Sequence, residues 1–364
     1  MSDTSPARDD KGTLASPGPD LRAATARVAA VRRRGRARLV GVSAALLAAT
    51  AAAFCFALSY GDYTVPLPDV VRTLLGGGDP GSRFVIVELR LPRALLALLV
   101  GCCFGLSGTV FQTLLRNPLA SPDVIGVSSG AGAAVVLAGG LTGLSGMPLS
   151  FVALAGSLLT GTAIYLLAWR GGVTGYRLVL IGLGIGMGLS SLISYQMTRD
   201  EVTEAQNAFL WLSGSLNGRS WPQVWPLLVG AAVLVPLTAL AARTLSALQL
   251  GDDAAGGLGA HVERDRRALL ACAMGLAGFA TAAAGPIGFV AFLAPPIARR
   301  LVPGQGAALL PSAAVGALLV SVADFAGQHV LDGTQLPAGI VTSVIGAPYL
   351  LWLLARANRV GQGG

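Results

Sequence analysis

Two apolar runs constrain this chain more than anything else in it. "RLVGVSAALLAATAAAFCFALSY", from Arg38 to Tyr60, and "RALLALLVGCCFGLSGTVFQ", from Arg93 to Gln112, each reach the ~20 residues that carry a helix across the hydrocarbon core of a bilayer. Every backbone N–H and C=O in that core must find its partner inside the segment, which favours helices wherever such runs are continuous. Similar runs recur almost to the C-terminal end. Only 12% of the residues are charged, against about 25% in a soluble domain. The reading is an all-α, polytopic membrane protein with about ten transmembrane helices, near 39–59, 91–111, 123–142, 150–168, 178–197, 223–242, 267–284, 286–298, 307–326 and 337–354. Residues 1–38, rich in Ser, Pro, Asp and Arg, read as a disordered cytosolic tail with no signal-peptide cleavage site. Residues 39–356 form the transmembrane domain, and 357–364 a cytosolic C-terminal tail.

The formal net charge is +8. In a soluble chain that would suggest nucleic acid; beside membrane spans it follows from the excess of basic residues on the cytosolic side. With the N-terminus inside, the tail and the inner connections hold 20 of the 26 basic residues, among them Arg116, Arg170, Arg266 and Arg300. Both termini are therefore expected in the cytosol, with the chain in the cytoplasmic membrane, surrounded by lipid and binding no nucleic acid. The 49 glycines suit close helix packing in lipid. Cys55, Cys102, Cys103 and Cys272 lie in apolar runs at no metal or redox spacing and read as small packing residues.

The connections carry the remaining information. "FQTLLRNPLASPDVIGVSSGAG", Phe111 to Gly132, breaks two spans with Arg116, Asn117, Pro118 and Pro122, because proline cannot continue a helical ladder and bends the residue before it away from helix. Ser128, Ser129, Gly130 and Gly132 then open a span whose small side chains either pack tightly or border a wet pathway; Ser107 in the preceding span shares that reading. The inner loop Arg243–Arg267 contains a short amphipathic helix with Leu245, Leu248 and Leu258 apolar, and Asp252 and Asp253 suited to a helix N-terminus. It reads either as a docking element for a cytosolic partner or as a solvated linker. Outside, Trp211 and Trp221 fit an interfacial aromatic belt, and a short helix along the surface is expected between Arg199 and Trp221.

The missing chemistry is informative. A phosphate-binding loop needs a lysine after its glycines, and the only lysine, Lys11, lies in the tail. No metal motif, cofactor motif or nucleophile elbow occurs, and His261 and His329 fall on opposite sides of the membrane, so no catalytic residues are assigned and the chain reads as no enzyme. Asp324 is the clearest intramembrane carboxylate. Near the outer end of its span, it reads as a capping or hydrogen-bonding group rather than a proton relay.

Four blocks, in order, resemble one family. "LRLPRALLALLVGCCFGLSGTVFQTLLRNPLASPDVIGVSSGAG", "LQLGDDAAGGLG", "GPIGFVAFLAPPIARRLVPGQGAALLPSAAVGALLVSVADFAG" and "QLPAGIVTSVIGAPYLLWLLAR" are similar to the iron-siderophore and cobalamin importer permeases, the membrane subunits of type II ABC importers. The resemblance runs from about residue 39 to 356. It implies ten helices, a second permease subunit in a heterodimer or homodimer, a cytosolic ABC ATPase dimer that hydrolyses the ATP, and an extracytoplasmic siderophore-binding protein. It gives Leu250, Gly251, Asp252, Asp253, Ala254, Ala255, Gly256, Gly257, Leu258 and Gly259 the role of ATPase coupling loop. It gives Arg90 and Arg93 the docking of the binding protein, the alternative being interfacial anchoring with Glu88 as partner. Two positions depart from the family pattern: Gln328 stands where an arginine is usual, and Pro296 where Pro295 is usually followed by histidine.

"NPLASPDVIG", "YRLVLIGLGIGMG" and "WLSGSLNGRSW" look closer to the ferric-siderophore branch. The expected function is the permease of an ATP-driven ferric-siderophore importer. The alternatives are cobalamin or haem cargo in the same machine, or a stand-alone secondary carrier, against which the lack of midplane carboxylates speaks.

Overall fold

The computed structural model describes residues 19–61, 63–169, 174–331 and 333–361, and among them every regular element is helical. The tail up to residue 18, the last three residues and Arg170 lie outside the described residues. Helix α1 spans Pro19–Ser59, α2 Leu67–Leu74 and α3 Pro80–Arg83; a π-helical turn over Phe84–Arg90 runs directly into α4, Leu91–Leu114. Then follow α5 Val127–Thr142, α6 Met147–Ala168, α7 Gly175–Met197, α8 Val202–Leu212, α9 Trp221–Leu240, α10 Ala242–Leu248, α11 Asp252–Gly257, α12 Val262–Ala284, α13 Val290–Leu301, α14 Leu309–His329 and α15 Ala338–Gly361. Among the described residues seven helices are long and apolar enough to cross a membrane, and Val127–Thr142 and Ala338–Trp352 are shorter apolar helices.

Helix α4 is the hub, packed against α14, α12, α13 and α9. Its glycines explain why. A Cβ on Gly101 would fall 2.2 Å from the Gly316 carbonyl oxygen, and one on Gly316 would fall 2.1 Å from that of Gly101. Backbones approach this closely only where side chains are absent, which is how helices gain contact in lipid. Phe104, Leu227, Leu276 and Val290 fill one buried cluster around it; Phe111, Ile164, Leu178 and Leu245 fill a second toward the Arg116 end. Ser107 ties the hub to α12, its hydroxyl donating to the Ala273 carbonyl at 2.7 Å.

Several expectations are corrected. Residues 19–38 are not a disordered tail but the first half of α1, exposed from Ala23 to Arg34; the Ala-, Arg- and Val-rich "LRAATARVAAVRRR" is dominated by good helix formers, and Pro19 suits a helix start. At the other end α15 continues to Gly361, into the segment expected as the C-terminal tail. The span expected from residue 123 begins at Val127 because Gly126 takes a left-handed φ of 87°. The eighth expected span divides: Gly285–Phe289 is irregular, with Phe289 itself at φ 67°, and α13 has only 12 residues, about 18 Å of helix. Irregular backbone at that depth persists where protein covers it; a Cβ on Gly285 would lie 2.4 Å from the Trp211 carbonyl oxygen, and Thr342 donates to the Gly288 carbonyl. Trp211 is accordingly buried against Ala131, Val135 and Ala153, not placed in an interfacial belt. Trp221 sits at the start of α9 behind a Ser220–Gln223 capping box, and its Nε1–H donates to the Val87 carbonyl at 3.0 Å.

Candidate functional site

The arginines and the loop that the sequence singles out lie at two opposite ends of the bundle. At one end the π-helical turn delivers Arg90 and Arg93. The turn has a local cause: Pro92 lacks an N–H for the i−4 carbonyl, and the Leu91 N–H reaches back five residues to the Ile86 carbonyl. Arg90 donates to the Leu58 carbonyl at 2.9 Å and the Tyr63 carbonyl at 2.6 Å. Arg93 forks onto Asp324, with Nε 2.9 Å from Oδ2 and Nη2 3.0 Å from Oδ1, and its Nη1 donates to Gln335. Gln328 donates to the same carboxylate at 2.9 Å. Asp324, 5% exposed, is therefore held by three donors from two side chains. Arg93's anionic partner is Asp324 on α14, not Glu88 in the preceding π-helical turn. Beside the pair Arg90, Arg93, Arg219, Glu88, Tyr60 and His329 line a cavity of about 470 Å³. Desolvation lowers the pKa of Arg219, which sits in the connection before α9.

At the other end the chain from Leu250 to Gly259 forms α11 and its flanks. Gly251 at φ 118° turns the chain so that Asp252 and Asp253 open the helix, where carboxylates suit the exposed N–H groups. Asp252 accepts both Arg266 contacts, at 2.7 and 2.8 Å, and one from Arg116 at 3.2 Å. Arg266 also pairs with Glu263 at 3.0 Å. Three segments, the α4–α5 turn, α11 and α12, are thus pinned by one carboxylate. Ala255, Leu245 and Leu248 face the bundle, while Asp253, Ala254, Gly256, Gly257 and Gly259 are exposed. Leu250 and Leu258 are both 69% exposed; Leu258 was expected on the buried face of a single helix, but the break at Gly251 makes two short helices and turns it out.

The serines separate. Ser107 is fully buried in the α4–α12 contact. The Ser128 hydroxyl donates to Asp123 in the preceding turn. Ser129 is half-buried and faces Gly186 of α7. Asp123 Oδ2 is buried without a partner; desolvation pushes the Asp123 pKa up to about 6, the Ser128 hydrogen bond opposing the shift.

Sequence reasoning missed Gln112. Prolines at 295 and 296 deprive the carbonyls four residues earlier of their helical donors. Gln112 Nε2 supplies the Phe292 carbonyl at 3.1 Å, and its Oε1 accepts from Arg299. The Ala291 carbonyl lies against the backbone of Gly108, where a Cβ would fall 1.8 Å away. A buried glutamine one helix away from a double proline was the available signal.

A model of the FecCD transport family matches residues 49–356. The chain is 38% identical over 314 residues to the iron(3+)-hydroxamate import system permease protein FhuG of Bacillus subtilis (strain 168), covering 84% of this chain and 94% of that protein. It is also 38% identical over 322 residues to the ferric enterobactin transport system permease protein FepG of Escherichia coli (strain K12), covering 88% and 98%. Among solved structures it resembles a metal-chelate type ABC transporter in an inward-facing conformation, with a TM-score of 0.75 at 28% identity, covering 87% of this chain and 99% of that one.

Proposed function

This chain belongs to the FecCD transport family, and we propose that it is the transmembrane permease subunit of an ATP-driven importer that carries ferric siderophore across the cytoplasmic membrane. The observation that carries the reading is an unbroken likeness, over more than four-fifths of the chain, to permeases whose names specify ferric hydroxamate and ferric enterobactin. It is a transporter subunit and not an enzyme; ATP is hydrolysed by a separate partner. The test is uptake of labelled ferric siderophore and labelled cobalamin, side by side, in a strain deleted for the chain. Loss of iron uptake alone, restored by re-expression, supports the siderophore cargo. Loss of cobalamin uptake alone reassigns the cargo within the same machine.

In this reading ten segments cross the membrane: α1, α4, α5, α6, α7, α9, α12, α13 with its preceding turn, α14 and α15. The Arg116 end faces the cytosol, because Arg243, Arg264, Arg266, Arg267, Arg299 and Arg300 join Arg116 there. Both termini are then cytosolic. The segment Leu250–Gly259 receives the ATPase dimer, with exposed Leu250 and Leu258 as its apolar contacts and Asp252 holding it to the α4–α5 turn and α12. The extracytoplasmic binding protein docks at the opposite end over Arg90 and Arg93; for Arg93 this requires a carboxylate of the partner to replace or join Asp324. A second permease subunit packs along α7, whose Gly184 and Gly188 have, apart from the helix's own neighbouring backbone, no atom of the described residues within 4 Å of where a Cβ would stand. Ser129 remains the candidate for the translocation pathway, with Ser128 behind it on Asp123.

A further inference from the structure

Helix α1 is longer than a membrane requires. Its 41 residues make about 62 Å of helix, roughly twice the ~30 Å hydrocarbon core. The excess is the N-terminal half. Arg32, Arg33, Arg34, Arg36 and Arg38 crowd seven consecutive positions, and no Asp or Glu occurs from Leu21 through Gly61. All five arginines are exposed. Among the described residues none of Arg32, Arg33, Arg34 and Arg36 pairs with a carboxylate.

The depth of this stretch is fixed by independent contacts. Leu39, Val42 and Leu46 pack against Ala294, Ala298 and Val315, seating α1 on α13 and α14. A Cβ on Gly35 would fall 2.3 Å from Gln305 Nε2, so the helix is still against the α13–α14 turn at that position. Arg38 Nε donates to the Leu301 carbonyl at 2.9 Å. The neighbouring Arg300 guanidinium stands 4.5 Å from the centre of the Trp352 ring and 5.8 Å from that of Tyr349. Trp and Tyr collect at the headgroup level, so Arg38 lies at that level. Arg32, six positions away, is then at most about 9 Å further out, within a Debye length of about 8–10 Å.

Like charges one helical turn apart destabilise a helix. Arg32 with Arg36, and Arg34 with Arg38, form two such pairs, and among the described residues no ion pair offsets them. We propose that the stretch Arg32–Arg38 of α1 is a binding surface for the anionic phospholipid headgroups of the leaflet that α1 enters. The guanidinium fork matches phosphate oxygens, and a basic cluster immediately outside a membrane helix concentrates anionic lipid. The stretch lies before residue 49, where the match to the family model begins. The inference rests on α1 spanning the membrane and not on the cargo.

The test equilibrates the purified full-length chain in mixed micelles with equal phosphatidylglycerol and phosphatidylcholine, and measures the lipid retained after gel filtration. Phosphatidylglycerol is expected to be preferred about tenfold. The variant R32Q/R33Q/R34Q/R36Q is expected to fall near parity, and R32K/R33K/R34K/R36K to keep most of the preference, which guards against a folding defect in the first. Equal retention of the two lipids by the wild-type chain overturns the proposal. So does a preference that survives the glutamine variant but vanishes in R299Q/R300Q. An unchanged preference in the glutamine variant, with lost ATPase-subunit association, assigns the stretch to that protein partner and also overturns the proposal. Retention is read without turnover, so absent siderophore uptake by the wild-type chain would count against the cargo alone.

Discussion

Helices α4 and α7 are both apolar, both glycine-rich and both long enough to cross a membrane, yet the fold uses them in opposite ways. In α4 most side chains from Pro92 to Thr113 are buried, and Gly101, Gly105 and Gly108 meet neighbouring backbone. In α7 only Leu178 and Gly182 are buried, and Leu180, Leu183 and Met187 point outward. Hydropathy says that a segment enters lipid; it does not say which of its faces another helix covers. A glycine in one helix is a contact, and in the other an open surface. The largest expected effect tests this difference. Gly101→Leu or Gly316→Leu would force apart two helices whose backbones touch, and neither backbone can rotate away as a side chain can. Overpacking ordinarily costs about 1–3 kcal/mol, and here the obstruction is main chain on both sides. Loss of the monodisperse peak in detergent gel filtration is expected, and a normal peak would show the α4–α14 approach to be looser than described.

The polar links of α4 come next. Asp324→Ala leaves Arg93 half-buried without its carboxylate, and removing one member of a buried pair costs about 3–5 kcal/mol. A marked fall in the thermal midpoint is expected, largely recovered in the double variant Arg93→Met/Asp324→Leu, which removes both charges. Equal destabilisation by the single and the double variant would mean that the pair is not what joins α4 to α14 at this end.

Gln112→Ala is expected to cost about 1–3 kcal/mol, the penalty of a buried carbonyl left without a donor. The partner variant sharpens this. In a Pro296→Ala background residue 296 regains its N–H, the Phe292 carbonyl has an internal donor, and Gln112→Ala should cost distinctly less. Additive effects in that double-mutant cycle would break the link between the glutamine and the proline.

Where α4 gives way to the exposed half of the molecule, Asp123 supplies a pH test. Its carboxyl titrates at about 6 when folded, against an ordinary 3.8. Between those values the unfolded carboxyl ionises while the folded one keeps its proton, so stability falls as pH rises from about 4 to 6 and stays lower above that. Asp123→Asn should flatten that slope, by about 3 kcal/mol at most, in thermal melts across pH 4–7. An unchanged slope would place the titration elsewhere.

The family and the all-helical, apolar character of the chain were legible because apolar length and proline-broken turns are local signals. "LRNPLASPD" announces its own turn, and "LGDDAAGG" its own helix start. The pairing of Arg93 with Asp324 was not legible: the two stand 231 positions apart, and each alone matched a different role. The tail was misjudged because Ser, Pro and Asp before Pro19 coloured the arginine-rich helix formers after it. The eighth span was misplaced because "GPIGFVAFLAPP" is apolar throughout, and only the fold reveals that Gly285–Phe289 is a covered turn rather than helix. Trp211 was misjudged for the same reason: its burial depends on α5 and α6, which no nearby residue encodes.

The smallest effect on the chain itself is expected on α7. Gly188→Leu adds a side chain where, apart from the helix's own neighbouring backbone, no atom of the described residues lies within 4 Å, so the isolated subunit should fold with a thermal midpoint close to that of the unaltered chain, within the ±0.5 kcal/mol usual for such positions. Its association with a second permease subunit should weaken, because small residues let helices approach closely in lipid and leucine at that spacing holds them apart. Co-purification of a tagged and an untagged subunit, with the thermal midpoint measured on the same sample, separates the two quantities. If Gly188→Leu destabilises the lone subunit as Gly101→Leu does, α7 is a core helix and its contrast with α4 is false. If neither stability nor pairing changes, α7 faces only lipid and the second subunit must meet this chain along another helix.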